Sequence, residues 1–500
     1  MKSMRLFCSA GVVPMVALLL AGGVSRAEVT LPSLWADHAV VQRELPVHVW
    51  GKASPGEEVT VRFRDETAVT HADKLGQWEL NLRPGGPGGP FAVEIEGTNK
   101  IHLSDVMVGD VWLASGQSNM EFATKDTMNA TEELKDAHQP RIRLFHVERR
   151  SSDFPQEDVA TKGWMPCTAE TVATFSGVAY FFARQIQADQ QVPIGLIEAD
   201  WGGTPAETWT SLGALSSDGA LLPAWRTWAL VSEDESHAAL ERGWEQHERE
   251  AAVAAGAPVP KFAWHPELRS WLPGGAFNGM IAPLTHFPIR GVLWYQGESN
   301  TGPERSYYYE RLFSTLIEDW RKRWGGGDFP FLYVQLANFV ASPDGQWAEV
   351  RDAQRRTLKL NQTAMVVTID VGDAGNVHPR NKQEVGRRLS LAARAVAYHE
   401  PVEFSGPLYR TRMREGRAIR IYFDHAQGGL TGKVDALRGF EIADARGKFV
   451  AASGRIDGET VVVSSPEVEN PAAVRYGWMD NPPCDLFNRA GLPASPFTTQ

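Results

Sequence analysis

The sequence has few cysteines and lacks the common short motifs that bind metals. Three cysteines occur in 500 residues, with no CxxC pair, no HExxH pair and no acidic calcium loop. We therefore expect no metal and no other cofactor. Cys8 lies in the N-terminal segment, which leaves Cys167 and Cys484. These two form either one disulfide or two separate buried thiols, and their sequence separation does not decide between the two.

The chain also lacks an excess of positive charge. The chain has 50 Lys and Arg against 61 Asp and Glu, a net charge of -11 at pH 7. Phosphate backbones and anionic lipids attract positively charged surfaces, so we expect neither nucleic acid nor a membrane as a partner. Hydrophobic residues at 43% and charged residues at 22% are typical of folded globular chains. The length predicts about three units, and nothing in the composition indicates an oligomeric state.

The longest apolar run of the chain lies near the N-terminus. Lys2 and Arg5 precede an apolar run over residues 11–20, and Ser25-Arg26-Ala27 supplies small residues for cleavage. This pattern predicts a signal peptide over residues 1–27, with a retained anchor helix as the alternative. The run is short for a membrane-spanning helix. We therefore expect an exported protein, periplasmic or extracellular.

The pattern of the chain changes along its length. Residues 28–104 contain short strand-like runs separated by Gly and Pro turns, which predicts a small β-sandwich-like unit. Apolar strands alternate with helical patterns over residues 105–400, which indicates an α/β unit with a parallel sheet and helices on both sides. Residues 205–285 interrupt this pattern as an insertion. Strand-like runs return over residues 401–500 and predict a second β-rich unit.

Four polar motifs each follow a predicted strand of the α/β unit. They contain Ser118, Gly202-Gly203-Thr204, Gln296-Gly297-Glu298-Ser299 and His378. The carboxyl ends of parallel strands share one edge of the sheet, where ligands bind, so we expect these motifs to meet. Taken singly, the residues have structural interpretations: a helix cap, a tight turn, a buried amide or a loop histidine.

Together the residue types suit acyl transfer. Ser118 would be the nucleophile and His378 the base that takes its proton. The backbone N–H groups of Ser118 and Gly203 and the side-chain amide of Gln296 would bind the developing oxyanion.

Several blocks resemble those of the SGNH hydrolases, and within them the sialate O-acetylesterase and acetylxylan-esterase-like branch. The similarity runs from about residue 30 to 497, and the ordered set is more specific than any single block. It is carried by Gly116-Gln117-Ser118-Asn119-Met120, Trp201-Gly202-Gly203-Thr204, the 277–284 segment, Trp294-Tyr295-Gln296-Gly297-Glu298-Ser299-Asn300, Val377-His378-Pro379-Arg380-Asn381-Lys382 and the 491–497 tail.

The resemblance implies hydrolysis of O-acetyl esters on carbohydrates, on a flavodoxin-like parallel sheet and without a metal. Carried over by position, Ser118 is the nucleophile, His378 the general base, and Gly203 and Gln296 oxyanion donors. Met120 stands where a GxSxG elbow would have its second glycine, so an α/β-hydrolase lipase is disfavoured.

The acid that would orient the histidine departs from the family pattern. The general pattern places it three residues before His378, where this chain has Gly375, and Asn376 stands two before. We name Asp373 as the orienting acid, although it could equally be a loop carboxylate or a helix cap. The alternatives are Asp370, Glu298 or a Ser–His dyad without an acid.

A glycan site combines flat aromatic faces with polar groups for the hydroxyls. Candidate substrate-binding residues are Gln117, Asn119, Glu298, Arg380 and Trp201, with Trp209, Trp264 and Trp271 as further aromatic candidates. Arg380 could pair with the carboxylate of a sialic acid, or equally cap a carbonyl.

We expect a secreted serine esterase acting on acetylated glycans, either xylan or xyloglucan oligosaccharides or O-acetyl sialic acid, with a slight preference for the plant-type glycans. The alternatives are a carbohydrate-binding protein on a degenerate hydrolase scaffold and an SGNH lipase or thioesterase. Activity that falls steeply from acetyl to butyryl esters would distinguish the glycan esterase from the lipase or thioesterase.

Overall fold

The N-terminal region folds as two small layers of strands. The computed structural model describes residues 28–262, 265–341, 345–434 and 436–500, so the predicted signal peptide lies outside it. The apolar residues alternate along the strands and point inward, as in Val59, Val61 and Phe63. The strands are β1 (Val40–Gln42), β2 (Val47–Lys52), β3 (Glu58–Phe63), β4 (Glu66–His71), β5 (Gln77–Leu82) and β6 (Gly88–Glu96).

The central region is a seven-stranded sheet. Its order is β13-β12-β11-β7-β10-β8-β9, with β9 the one antiparallel member. The strands are β7 (Lys100–Gly116), β8 (Gln139–Val147), β9 (Thr161–Cys167), β10 (Ile194–Asp200), β11 (Gly291–Tyr295), β12 (Phe331–Val334) and β13 (Thr363–Val366). Every residue of β10 and β11 is buried, because helices cover both faces of the sheet. The predicted α/β class is confirmed by this largely parallel sheet and by the helices on both of its faces.

Strand β7 is unusually long and joins two regions. Its first half pairs with β1 and β6 of the N-terminal region, and its second half pairs with β10 and β11. The strand crosses the boundary expected at residue 104 without a break. The N-terminal strands are therefore continuous with the central sheet through a single strand.

The helices lie in two layers about the sheet. Helices α4 and α11 share one core with its first face, and α9 and α10 pack on the second face. The helices are α1 (Ser118–Glu121), α2 (Ala130–Lys135), α3 (Ala169–Ala173), α4 (Gly177–Gln190), α5 (Leu212–Ser216), α6 (Pro223–Ala254), α7 (Leu268–Trp271), α8 (Pro303–Ser306), α9 (Tyr309–Trp324), α10 (Trp347–Thr357) and α11 (Lys382–Val396). In the described part of the chain, no helix is both long and apolar enough to cross a bilayer.

The interruption expected at residues 205–285 contains α5, α6 and α7. The long helix α6 begins at Pro223, because a proline at the first position is well suited to start a helix.

The C-terminal region is an antiparallel sheet with a core of its own. Its order is β14-β15-β19-β18-β17-β20-β22, and β16 pairs with β21 beside it. The strands are β14 (Leu408–Glu415), β15 (Ala418–Asp424), β16 (Leu430–Gly432), β17 (Leu437–Asp444), β18 (Phe449–Asp457), β19 (Thr460–Ser464), β20 (Pro471–Tyr476), β21 (Leu486–Asn488) and β22 (Phe497–Thr498). Cys167 and Cys484 are both free thiols, so the disulfide alternative is not realised.

Candidate active site

Three of the motifs start from one row of the central sheet. The last residue of β7, Gly116, is in register with Asp200 at the end of β10 and with Tyr295 at the end of β11. Gly116 has φ +138°, and a Cβ there would lie 2.2 Å from the Tyr295 carbonyl oxygen. Only glycine fits this close approach of backbones. The convergence expected from the strand ends is therefore real for these motifs.

Ser118 and His378 are in direct contact. Ser118 is the first residue of α1, and Gln117 before it donates its backbone N–H to the Tyr295 carbonyl at 2.9 Å. The Ser118 Oγ and the His378 Nε2 are 2.7 Å apart. Burial lowers the pKa of His378, and the positive charge of Lys382 lowers it further. A neutral imidazole in this position can accept the serine proton.

The segment after β10 lies against the serine. The Trp201 N–H donates to the Gly116 carbonyl at 3.1 Å, and the Gly202 N–H donates to the Glu121 Oε2 at 2.6 Å. A Cβ on Gly202 would lie 3.3 Å from the Ser118 Cβ. Gly203 follows with φ +76°, a left-handed conformation that favours glycine.

Two backbone donors remain available at this point. Among the described residues, neither the Ser118 N–H nor the Gly203 N–H has a hydrogen-bond acceptor. The Gly203 carbonyl accepts from the Trp271 indole at 2.9 Å, which fixes the peptide from its other side. Unpaired N–H groups beside a nucleophile can stabilise an oxyanion.

Gln296 differs from the expectation of a third oxyanion donor. Its Nε2 donates to the Asn300 Oδ1 at 2.7 Å and to the Thr204 carbonyl at 3.2 Å, and its Oε1 accepts from the Tyr309 hydroxyl at 2.9 Å. The residue is fully buried. Both amide protons are thus engaged, and the side chain holds the loop that carries Gly203 instead of facing the serine.

Asp373 is likewise placed differently from the expectation. It is exposed, and its Oδ1 accepts from the Gly375 N–H at 2.9 Å, a turn within its own loop. No hydrogen bond joins Asp373 to His378 among the described residues, and no carboxylate there influences the His378 pKa. The loop-carboxylate interpretation fits this geometry, because the carboxyl oxygen is used by the turn.

The other two acid candidates are also engaged elsewhere. Asp370 forms a bidentate ion pair with Arg388, with both N–O distances 2.6 Å. The Glu298 Oε1 accepts from the Asn119 Nδ2 at 2.6 Å. Burial raises the pKa of Glu298, against the opposing effects of Asn119 and Lys382. The structure therefore contains a Ser–His pair without an acid in contact with the imidazole, within the ranges described.

The residues expected to bind substrate mostly support the site. The Gln117 Oε1 accepts from the Gly297 N–H at 3.2 Å and the Ser299 N–H at 3.3 Å. Asn119 is 1% exposed, and its amide is fully used by neighbouring groups. These side chains are buried because they connect the strand-end segments to one another.

Arg380 and Trp201 also have contacts of their own. Arg380 donates from Nε to the Asp126 carbonyl at 2.8 Å and from Nη2 to the Thr127 carbonyl at 3.0 Å. This is the carbonyl-capping interpretation. Trp201 is 8% exposed and packs in the core, and Trp209 is fully buried there. Trp264 lies outside the described residues.

Two residues of the site were not assigned a role from the sequence. Glu121 holds Gly202 from α1 and pairs with Arg149. Lys382 is completely buried beside the serine segment, with its Nζ 2.5 Å from the Asn119 Oδ1. A lysine at the end of the histidine block looks like an ordinary helix residue in the sequence, and only its burial distinguishes it.

The arrangement brings a nucleophile and a base into contact and leaves the N–H groups of Ser118 and Gly203 without an acceptor among the described residues, a combination that suits acyl transfer. In the described ranges, no group of three His, Cys, Asp or Glu side chains is arranged to hold a metal ion.

The comparisons with known proteins agree on one family. The family model described as a carbohydrate esterase, sialic acid-specific acetylesterase, matches residues 108–220 and 265–395. Mouse sialate O-acetylesterase is 30% identical over 98% of this chain and 98% of its own length. The human protein of that name is 31% identical over 90% of this chain and 88% of its own. A solved carbohydrate acetylesterase from Xanthomonas citri is 35% identical, covers 94% of this chain and 99% of its own, and has a TM-score of 0.82.

Proposed function

The chain belongs to the sialic acid-specific acetylesterase family of carbohydrate esterases, and from this we propose that it is an exported serine esterase that removes acetyl groups from glycans. The family and the class of carboxylic ester hydrolase, both expected from the motif blocks, are confirmed by these relatives. Export rests on the sequence of residues 1–27 alone.

The observation that carries the serine mechanism is the 2.7 Å contact between the Ser118 Oγ and the His378 Nε2. The contact lies at the carboxyl end of the parallel strands, beside the free Gly203 N–H. Apart from β8 and β9, the strand order is β10-β7-β11-β12-β13. This is the 2-1-3-4-5 order of flavodoxin-like sheets, and it supports the SGNH assignment.

In the proposed first half-reaction, Ser118 attacks the acetyl carbonyl while His378 takes the hydroxyl proton on Nε2. The carbonyl oxygen becomes negative and accepts hydrogen bonds from the N–H groups of Ser118 and Gly203. The C–O bond to the sugar then breaks, and His378 returns the proton to the leaving sugar hydroxyl. An acetyl group remains on the Ser118 oxygen.

In the second half-reaction, water replaces the sugar. His378 removes a proton from the water as the water attacks the acetyl carbonyl. The same two backbone donors bind the second oxyanion, after which the Ser118 oxygen leaves and recovers the proton. Acetic acid is released and loses its proton to solvent, and the resting Ser–His pair is restored. No step requires a carboxylate hydrogen-bonded to the imidazole, so the mechanism is compatible with a Ser–His dyad.

For the sugar, we favour a neutral acetylated glycan such as a xylan or xyloglucan oligosaccharide. Recognition of a sialic acid requires a cation for its carboxylate. Arg380, the residue expected to supply it, donates instead to two backbone carbonyls.

The test is acetate release from acetylated xylan, acetylated xyloglucan and O-acetyl sialic acid, with Ser118→Ala as the blank. Activity on a neutral glycan that disappears in the folded variant supports the whole proposal. Activity confined to O-acetyl sialic acid keeps the mechanism and overturns the sugar. Glycan binding without acetate release indicates a carbohydrate-binding protein. A preference for butyryl over acetyl 4-nitrophenyl esters indicates a lipase or thioesterase.

A further inference from the structure

One side chain links the segment of the nucleophile to the segment of the base. Asn119 follows Ser118 in the chain, and Val377 precedes His378. The Asn119 Nδ2 donates to the Val377 carbonyl at 2.9 Å. A single hydrogen bond thus connects the immediate neighbours of the two reactive residues. Its geometry contributes directly to the distance between the hydroxyl and the imidazole.

Asn119 is held in turn by two charged groups. The Lys382 Nζ donates to the Asn119 Oδ1 at 2.5 Å, and the Glu298 Oε1 accepts from the Asn119 Nδ2 at 2.6 Å. Hydrogen bonds to charged partners are roughly twice as strong as those between neutral groups. A donor on the amide oxygen and an acceptor on the amide nitrogen fix the side chain in one orientation, which keeps the second amide proton on the Val377 carbonyl.

Lys382 is an expensive group to bury. It is 0% exposed, and its Nζ makes no ion pair within 4.0 Å among the described residues. The ammonium lies 4.9 Å from the centre of the Phe122 ring and 5.3 Å from that of Tyr295. Burial lowers the pKa of Lys382 to about 7, although Glu298 opposes this. Strongly perturbed ionisable groups next to a cleft are found most often at functional sites.

We propose that Lys382 is a positioning residue of the esterase: through Asn119 it holds the His378 loop against Ser118, in the absence of an acid on the imidazole. This inference rests on the serine mechanism proposed above. Lys382 touches neither the substrate nor the reacting atoms. It acts on the base through one amide side chain and the Val377 carbonyl.

The charge of Lys382 has a second effect that a purely structural residue would lack. Lys382 is the charged group whose field reaches His378, and Glu298 is the one whose field reaches Lys382. Ser118 of α1 and the ring of Phe122, the residue after α1, face the imidazole, and the guanidinium of Arg380 is directed to backbone carbonyls. Removal of the lysine charge should therefore raise the pKa of His378.

The first experiment replaces Lys382 by methionine, which keeps most of the stem and removes the ammonium. For Lys382→Met we expect kcat on 4-nitrophenyl acetate to fall about 100-fold, since small displacements of catalytic groups cost that much, while KM stays within about threefold. The acid limb of the kcat/KM profile should move to higher pH. Lys359→Met, on an exposed lysine, is the control and should match wild type.

The second experiment is a double-mutant cycle with Asn119→Ala. Because both residues act through the same hydrogen bond to Val377, the double variant should lose about as much kcat as either single variant. Asn119→Ala keeps the lysine charge, so its acid limb should stay at the wild-type pH. If Lys382→Met does not fold, Asn119→Ala decides: kcat within about threefold of wild type overturns the inference.

The positioning role is overturned if folded Lys382→Met has the wild-type kcat. It is also overturned if the kcat losses of Lys382→Met and Asn119→Ala multiply in the double variant and the acid limb of Lys382→Met stays at the wild-type pH. Ser118→Ala is measured in the same series. If Ser118→Ala retains full activity, the serine mechanism itself fails. If Ser118→Ala is inactive while Lys382→Met and Asn119→Ala are as active as wild type, only the positioning inference fails.

Discussion

At the residue scale, the polar side chains of the motifs divide into two groups. Ser118 and His378 face each other, and the Gly203 N–H has no acceptor within the part of the chain that the structure describes. Gln117, Asn119 and Gln296 instead hold the strand-end segments together. The sequence identifies both groups, because both lie in the same short motifs. It does not separate them, because an amide that faces a substrate and one that holds a loop are the same residue type.

Asp373 provides the sharpest residue-level prediction. Its oxygen accepts from the Gly375 N–H, and an asparagine oxygen can do the same. We expect Asp373→Asn to keep kcat within about threefold of wild type on 4-nitrophenyl acetate. In a triad with the acid on the histidine, the same change lowers kcat about 10⁴-fold. A loss of that size would restore Asp373 as the orienting acid, with Glu298→Gln as the comparison variant.

The pH profile tests the environment of His378. Burial and the charge of Lys382 both disfavour the imidazolium form, so the pKa of His378 lies below 6.5. The base must be neutral to act, and activity should therefore persist below that pH. We expect the acid limb of kcat/KM on 4-nitrophenyl acetate to have its midpoint under 6.5, after subtraction of the uncatalysed rate. A midpoint above 6.5 would contradict the placement of Lys382.

At the scale of elements, the end of β7 depends on a glycine. A Cβ at Gly116 would meet the Tyr295 carbonyl at 2.2 Å, and its φ of +138° strains any other residue. We expect Gly116→Ala to lower the free energy of unfolding by about 3 kcal/mol or more. Gly243 in α6 is the matched control, because a Cβ there meets nothing within 4 Å. Gly243→Ala should raise stability by about 0.5–1 kcal/mol. Urea unfolding measures both, and equal effects would contradict the close approach.

Strand β10 carries two buried acids, Glu198 and Asp200, on the same face. Burial raises the pKa of Asp200 well above its usual value, and the neighbouring Glu198 raises it further. A raised folded-state pKa means that stability falls as pH rises from the unfolded pKa toward the folded one. We therefore expect Asp200→Asn to raise the thermal midpoint at pH 8 and to change it little at pH 4, as measured by calorimetry. Equal changes at both values would contradict the burial of an acid.

Some strands and helices can be predicted from the sequence better than others. The buried strands β10 and β11 and the helices α9 and α11 agree with the expected alternation of strands and helices, because continuous apolar runs and helical periodicity are strong signals. The β8 and β9 pair was not identified. Its segment mixes arginines and a proline with apolar residues, as in Gln139–Val147, and lies toward the edge of the sheet. Edge strands lack the apolar pattern that marks central ones.

At the scale of the whole molecule, β7 pairs both with strands of the N-terminal region and with strands of the central sheet. One core cluster includes Val61 of the N-terminal strands and Val292 of the central sheet, whereas Val461 belongs to a separate C-terminal core. The sequence predicts each unit from its own pattern. It gives no sign of the shared strand, because Lys100–Gly116 looks like two shorter runs with polar residues between them.

The shared strand has a consequence for cooperativity. We expect Val61→Ala to lower the opening free energy of the β7 and β11 amides as much as that of β3, because the regions share a strand and a core. Native-state hydrogen exchange measures this. Val461→Ala, equally buried in the C-terminal core, should leave those amides unaffected. If Val61→Ala lowers the opening free energy only of the strands up to β6, the N-terminal and central regions are two independent units.

The central claim is that Ser118 forms an acetyl-enzyme with His378 as its base. The most direct test compares turnover of 4-nitrophenyl acetate by wild type and by Ser118→Ala, with circular dichroism and the thermal midpoint as checks on folding. Wild type should be active, and the folded variant should lose at least about 10³-fold in kcat. A folded Ser118→Ala with unchanged turnover would contradict this claim, and the hydrolysis would then have to proceed without this serine.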